Sequence, residues 1–249
     1  MMRWQLSGGC SSRSEPERGN RVGQIKQESV AGRLEAAKRA LAQGGMVVLA
    51  PGADGPGTGN LLIAARYATP ESVATMARHG GGLVRLALPM RRCLELQVLA
   101  HKHTPHRPGA RSRMLDEHQL LSVEAREGVG TGISAADRAR TLRVAASPAA
   151  GAQELVCPGH IPVVTPLAEQ VPTPAAAALT LCRKAGAWRA AALCHVLAAD
   201  GEAATTAELR ELAEELGLPF VTADEVLLPE GAARRQGIPI EHALLSIGA

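Results

Sequence analysis

The chain has 249 residues, 46% hydrophobic and 20% charged, which sets a bound of one or two domains and excludes the charge-rich, core-poor composition of a disordered protein. Twenty-seven basic against 24 acidic side chains leave a net charge of +3, too little for a nucleic-acid footprint. Aromatics are 2% of the chain, Trp4, Trp188, Tyr67 and Phe220, which excludes a base-stacking surface and requires a core of Ala, Leu and Val.

Residues 1–28 mix Ser, Gly, Arg, Glu and Gln without apolar periodicity and read as a flexible arm ahead of a single folded domain over 29–249. Val30, Leu34, Ala37 and Leu41 then repeat at helical spacing up to Gly44-Gly45, a left-handed stop. Met46 to Ala50 is a short buried strand, residues 51–60 are breaker-rich loop, and Leu61 to Ala65 is a second strand. Thr69-Pro70 opens a helix that ends near His79-Gly80, and Leu83 to Leu88 is a strand. Residues 101–118 form a polar loop too long for a connector. Gln119 to Val123 is a strand, and Ser134 opens a helix with Asp137 completing an acidic capping box. A strand near Ile161 to Val164, a helix from Thr173-Pro174, a strand over Ala191 to Leu197, a helix from Thr206 to Leu216 and a strand at Phe220-Val221 complete the order. Strands and helices alternate without a doubly wound pattern, so a three-layer mixed α/β domain is expected.

The five cysteines, Cys10, Cys93, Cys157, Cys182 and Cys194, include no Cys-x-x-Cys pair and read as free thiols of a cytoplasmic protein. No apolar run is long enough to span a bilayer and the N-terminus has no apolar signal region, so neither membrane nor nucleic acid is expected as a partner.

The stretch Glu127-Gly128-Val129-Gly130-Thr131-Gly132-Ile133-Ser134-Ala135-Ala136-Asp137-Arg138-Ala139-Arg140-Thr141 resembles the 3,4-dihydroxy-2-butanone 4-phosphate synthase family. Met76-Ala77-Arg78-His79-Gly80, Cys157-Pro158-Gly159-His160-Ile161 and Ala199-Asp200-Gly201 fall in the same order as that family's segments. The resemblance covers roughly Val30 to Val226. It implies an α+β fold, three layers α/β/α around a mixed twisted sheet, a homodimer, and a lyase that converts ribulose 5-phosphate to a four-carbon ketone phosphate and formate with magnesium. Members of the family are also found fused to a GTP cyclohydrolase domain, which is not expected in a chain ending at Ala249.

Departures from the family pattern cluster at its site. The family loop Asp-Arg-Glu-Asn-Glu-Gly-Asp corresponds to Asp54, Gly55, Pro56, Gly57, Thr58, Gly59 and Asn60. Pro56 thus stands at the first magnesium ligand and Asn60 at a sugar-holding aspartate. The second magnesium ligand, a histidine, corresponds to Pro174. The catalytic glutamate of a Cys-Glu pair corresponds to His195 in Cys194-His195, and an active-site cysteine corresponds to Arg85. The expectation is therefore a divergent homologue without a metal cofactor.

What the resemblance retains is a phosphate-holding arm, Thr131, Ser134, Asp137 and Arg138, together with His160. With His160 and His195 as catalytic groups and Asn60, Arg85, Thr131, Ser134, Asp137 and Arg138 as binding groups, the partner expected is a small phosphorylated or anionic molecule. The reaction then differs from the parent one, or is absent in a homodimeric binding protein; the parent activity is the further alternative. Simpler roles stay open for each residue. Ser134 and Asp137 are also plain helix caps, Arg138 a surface ion pair, and His195 a core histidine or an acid/base with a pKa near neutrality. The Gly55 to Gly59 run lacks the ending of a nucleotide loop, and His101, His103 and His106 read as a solvated stretch rather than a metal site.

Overall fold

A computed structural model describes residues 29–52, 58–99, 117–166 and 173–227. Within them the strands β1 (Val47–Ala50), β2 (Asn60–Ala64), β3 (Val84–Ala87), β4 (Glu117–Ala125), β5 (Leu155–Pro166), β6 (Ala191–His195) and β7 (Phe220–Thr222) form one sheet in the order β4-β5-β3-β6-β2-β1-β7. The pairs β1/β7 and β3/β5 run parallel and the other four antiparallel, so the sheet is mixed. The central strands β1, β2 and β3 are buried at every position, which requires cover on both faces.

Side-chain alternation divides that cover. Val48 and Ala50 join Val73 and Met76 of α2 (Pro70–His79), Cys93 of α3 (Met90–Glu95), Ala139 and Leu142 of α4 (Ala135–Ala146) and Leu209 of α6 (Thr206–Glu215). Val47 and Leu49 instead meet Leu34 and Leu41 of α1 (Val30–Ala42), the alanine-rich face of α5 (Pro174–Lys184) and Val226 of α7 (Ala223–Leu227). The result is the expected α+β fold of three layers. Its core is built of Ala, Leu and Val, with Phe220 the one aromatic among the buried hydrophobics of the described residues.

Helix starts follow their caps. Ser29, Thr69, Ser134, Thr173 and Thr205 each accept from a backbone N–H of the first turn, and Pro70 and Pro174 occupy first-turn positions where no intrahelical donor is lost. Four elements differ from expectation. The strand β5 is 12 residues long, because Pro158 and Gly159 are absorbed into a ribbon with β4 that carries register shifts. The helices α3 and α7, of six and five residues, are too short to show periodicity. Asp137 does not close a capping box; its carboxylate turns back to the preceding loop.

Among the described residues no helix is long and apolar enough to cross a membrane. The arm over 1–28, the loop residues Asp54 to Gly57 and the histidines His101, His103 and His106 lie outside the described residues.

Candidate functional site

Two groups of polar side chains stand out among the described residues. The first follows from strand register. Asn60 is paired with His195 and Arg85 with Leu193, and directly opposed residues share a face of the sheet. Asn60, Arg85 and His195 therefore project together toward the α5 layer. Glu117 joins them from the edge strand: it is paired with Pro166, two residues from Val164, the partner of Ala87.

Arg85 is 3% exposed. Its Nη2 donates to Asn60 Oδ1 at 3.2 Å and its Nη1 lies 3.6 Å from Glu117 Oε2. Asn60 is held from its other end by a 2.6 Å bond from Nδ2 to the Thr58 carbonyl. Glu117 Oε1 accepts from Ala175 N at 2.7 Å, on the first turn of α5, where the helix dipole favours a carboxylate. Burial lowers the Arg85 guanidinium from its usual range, with Glu117 acting against that shift.

His195 is half-buried, and burial first, then the charge of Arg85, push its pKa down to about 4. The imidazole is thus neutral at pH 7, unlike the near-neutral titration its residue type suggests. The sign for stability follows from linkage. An unfolded chain takes up the proton near pH 6.5 and the folded one only near 4, so stability is complete above 6.5 and falls as pH drops toward 4. Discounted for partial exposure, the loss is about 1–2 kcal/mol. Urea unfolding of a His195→Gln variant should show that much less pH dependence across the same window.

The second group lies along β4, β5 and the start of α4. His160 Nδ1 is 2.8 Å from Glu124 Oε2, with the imidazole 44% exposed. The loop between β4 and α4 turns at Gly128 and Gly132, both at positive φ. Asp137 braces it by accepting from Gly130 N at 3.2 Å and Gly132 N at 3.0 Å, bonds that hold its carboxyl below the usual range, that from Gly130 foremost. Ser134 caps the helix through Asp137 N. Those two glycine amides are thereby committed, while Thr131 is exposed and Arg138 half-buried. Arg138 Nη1 donates to the Gly82 carbonyl at 3.2 Å.

Cys194 connects the two groups. It sits behind His195, donates from Sγ to Met76 O at 3.4 Å, and feels the charges of both Arg138 and Arg85, although burial still raises its pKa. Of the residues expected from the sequence, the structure brings Asn60, Arg85 and His195 together, and separately Ser134, Asp137 and Arg138. It adds Glu117 and Glu124, both on β4. Neither belongs to a motif, and only the pairing of β4 with β5 brings them to the site.

The family model described as 3,4-dihydroxy-2-butanone 4-phosphate synthase matches residues 35–228. This chain belongs to that family. It is 35% identical over 209 residues to the riboflavin biosynthesis protein RibBA of Mycobacterium ulcerans, covering 78% of this chain and 46% of the relative. The RibBA protein of Salinispora arenicola is 35% identical over 199 residues, covering 77% and 45%. The chain thus spans about half the length of these curated relatives. A two-domain 3,4-dihydroxy-2-butanone 4-phosphate synthase from A. baumannii, RibBX, superposes with a TM-score of 0.70 at 33% identity, over 78% of this chain and 56% of that one. Another synthase, solved in complex with two magnesium ions, superposes with a TM-score of 0.66 at 26% identity, over 77% of this chain and 93% of that one.

That last structure overturns the expectation of no metal cofactor, which rested on Pro56 and Pro174. Two positions do not define a donor set: magnesium is held through one or two carboxylates and keeps several waters and substrate oxygens. Pro56 lies outside the described residues, and Pro174 is the first residue of α5. Of the described carboxylates, Glu117 is engaged by Arg85 and Ala175. Glu124, with 13% of its side chain exposed and His160 beside it, is a carboxylate of this group that could accept a magnesium ion. Among the described residues no group of three or more His, Cys, Asp and Glu is arranged to hold a metal.

Proposed function

We propose that this member of the synthase family binds a small phosphorylated or anionic molecule across the two polar groups, and that its reaction differs from the parent conversion of ribulose 5-phosphate. The observation that carries this reading is Arg85, a buried guanidinium beside a neutral histidine, at positions where the family resemblance implies a cysteine and a glutamate. A cationic, weakly basic pair replaces a nucleophilic and an acidic one, which changes the protons the site can move.

In this reading Arg138 and Thr131 hold the phosphate near the start of α4, where helix amides and a guanidinium favour an anion. Asp137 and Ser134 keep that loop in shape. His160, oriented by Glu124, is the exposed proton-transfer group, and neutral His195 is an acceptor inside the site. Magnesium bound at Glu124 would supply Lewis acidity to substrate oxygens. The protein acts as a homodimer in the reducing cytoplasm.

The test is to mix the full chain with ribulose 5-phosphate and magnesium chloride, following formate by proton NMR and the melting temperature alongside. The sugar phosphate should raise the melting temperature while no formate appears at an enzymic rate. Formate formed at such a rate, and abolished by His160→Ala, would establish the parent reaction instead. No thermal shift with any sugar phosphate would favour a non-catalytic binding protein.

A further inference from the structure

Among the described residues, nothing satisfies the interior of the first polar group. Arg85 Nε and Nη1, Glu117 Oε2 and His195 Nδ1 are all buried without a hydrogen-bond partner. Buried polar atoms are rarely left in this state, and a cluster of them calls for a ligand, ion or water that completes it. Their chemistry is mixed: Arg85 offers donors, while Glu117 and a neutral imidazole accept.

The ion pair is also loosely made. Glu117 spends Oε1 on the N-terminus of α5, at 2.7 Å from Ala175 N, so its negative charge is partly met by the helix. Its contact with Arg85 is long, 3.6 Å, and makes no hydrogen bond. Asn60, on the remaining side of the guanidinium, is neutral. The 97% of Arg85 that is buried therefore carries a cation with donors to spare, and half-buried His195 is the member through which the group reaches solvent.

On the reading of the site given above, we infer that Arg85, Asn60, Glu117 and His195 recognise an α-hydroxy carboxylate, so that the ligand is a phosphorylated hydroxy acid and not a neutral phosphorylated ketose. The carboxylate accepts from the free guanidinium N–H groups, which suit its planar geometry. The neighbouring hydroxyl donates to Glu117 Oε2 or His195 Nδ1. The phosphate at the far end belongs to the Arg138 arm. A ketone oxygen in place of the carboxylate would meet the same guanidinium donors without a charge.

Isothermal titration of the full chain with 4-phosphoerythronate and with ribulose 5-phosphate tests this directly. The hydroxy acid should bind at least about ten-fold tighter, as expected when a buried polar group is paired rather than orphaned. Arg85→Gln should erase that preference. So should Asn60→Asp, which sets a carboxylate of the protein against the guanidinium while retaining the arginine and the packing. Arg138→Gln should weaken both ligands alike. Equal affinities in the unaltered protein, a preference for the ketose, or a preference that survives Asn60→Asp would overturn the inference. Binding of inorganic phosphate lost on Arg138→Gln, with neither organic ligand preferred, would overturn it and leave the proposed function standing. No binding of phosphate or either ligand would remove both.

Discussion

Replacing Glu117 by alanine is expected to cost the fold about 3–5 kcal/mol, because it strands a buried guanidinium without its counter-ion. Arg85 is 3% exposed, and its other fixed partner is the neutral amide of Asn60. The same substitution deletes the acceptor for Ala175 N, so the first turn of α5 loses an end contact as well. Two companions separate the causes. Glu117→Gln keeps an acceptor for Ala175 while removing the charge. The double variant Glu117→Ala, Arg85→Met removes both charges, and since the penalty belongs to the unpaired ion it should recover a large part of the loss. Urea unfolding at pH 7 reads all three. A loss below about 1 kcal/mol for Glu117→Ala would mean that the pair is solvated like a surface bridge.

Gly159→Ala should destabilise by about 3 kcal/mol, the upper range for forcing extra atoms into a packed region, and should disturb ligand binding with it. A Cβ at Gly159 would lie 2.2 Å from the Val123 carbonyl carbon and 2.4 Å from Glu124 N. Those are backbone atoms of β4, so relief requires the two strands to separate where Gly159 N donates to Ser122 Oγ. The displaced segment carries Glu124 on one strand and His160 on the other, which are 2.8 Å apart. Denaturant unfolding should show the stability change, and the His160 ring resonances should move as its carboxylate partner is pulled away. A variant that unfolds like the parent, with His160 unchanged, would mean that the ribbon flexes at this point.

The contrast between those two sites explains what could be read in advance. Arg138, Ser134 and His160 sit in contiguous runs of residues, and the capped start of α4 is a local matter of Ser134 and the amide of Asp137. Asp137 itself shows the limit of local reading. Its position suits a capping box, yet two glycine amides of the preceding loop compete for the carboxylate and win, because the turns at Gly128 and Gly132 aim those donors at it. The length of β5 was hidden for a related reason: Pro158 and Gly159 read as breakers until a bulged partner strand accommodates them.

By itself the amino-acid sequence determined the family, the three-layer α+β fold, an aliphatic core and the helix caps, since each depends on short-range periodicity or on a contiguous motif. Only the tertiary structure decided that Arg85, Asn60 and His195 share a face with Glu117, that His195 stays neutral at pH 7, and that Glu124 stands beside His160. Those facts depend on strand register and burial, which bring together residues as far as 135 positions apart, and no spacing along the chain encodes a desolvated charge.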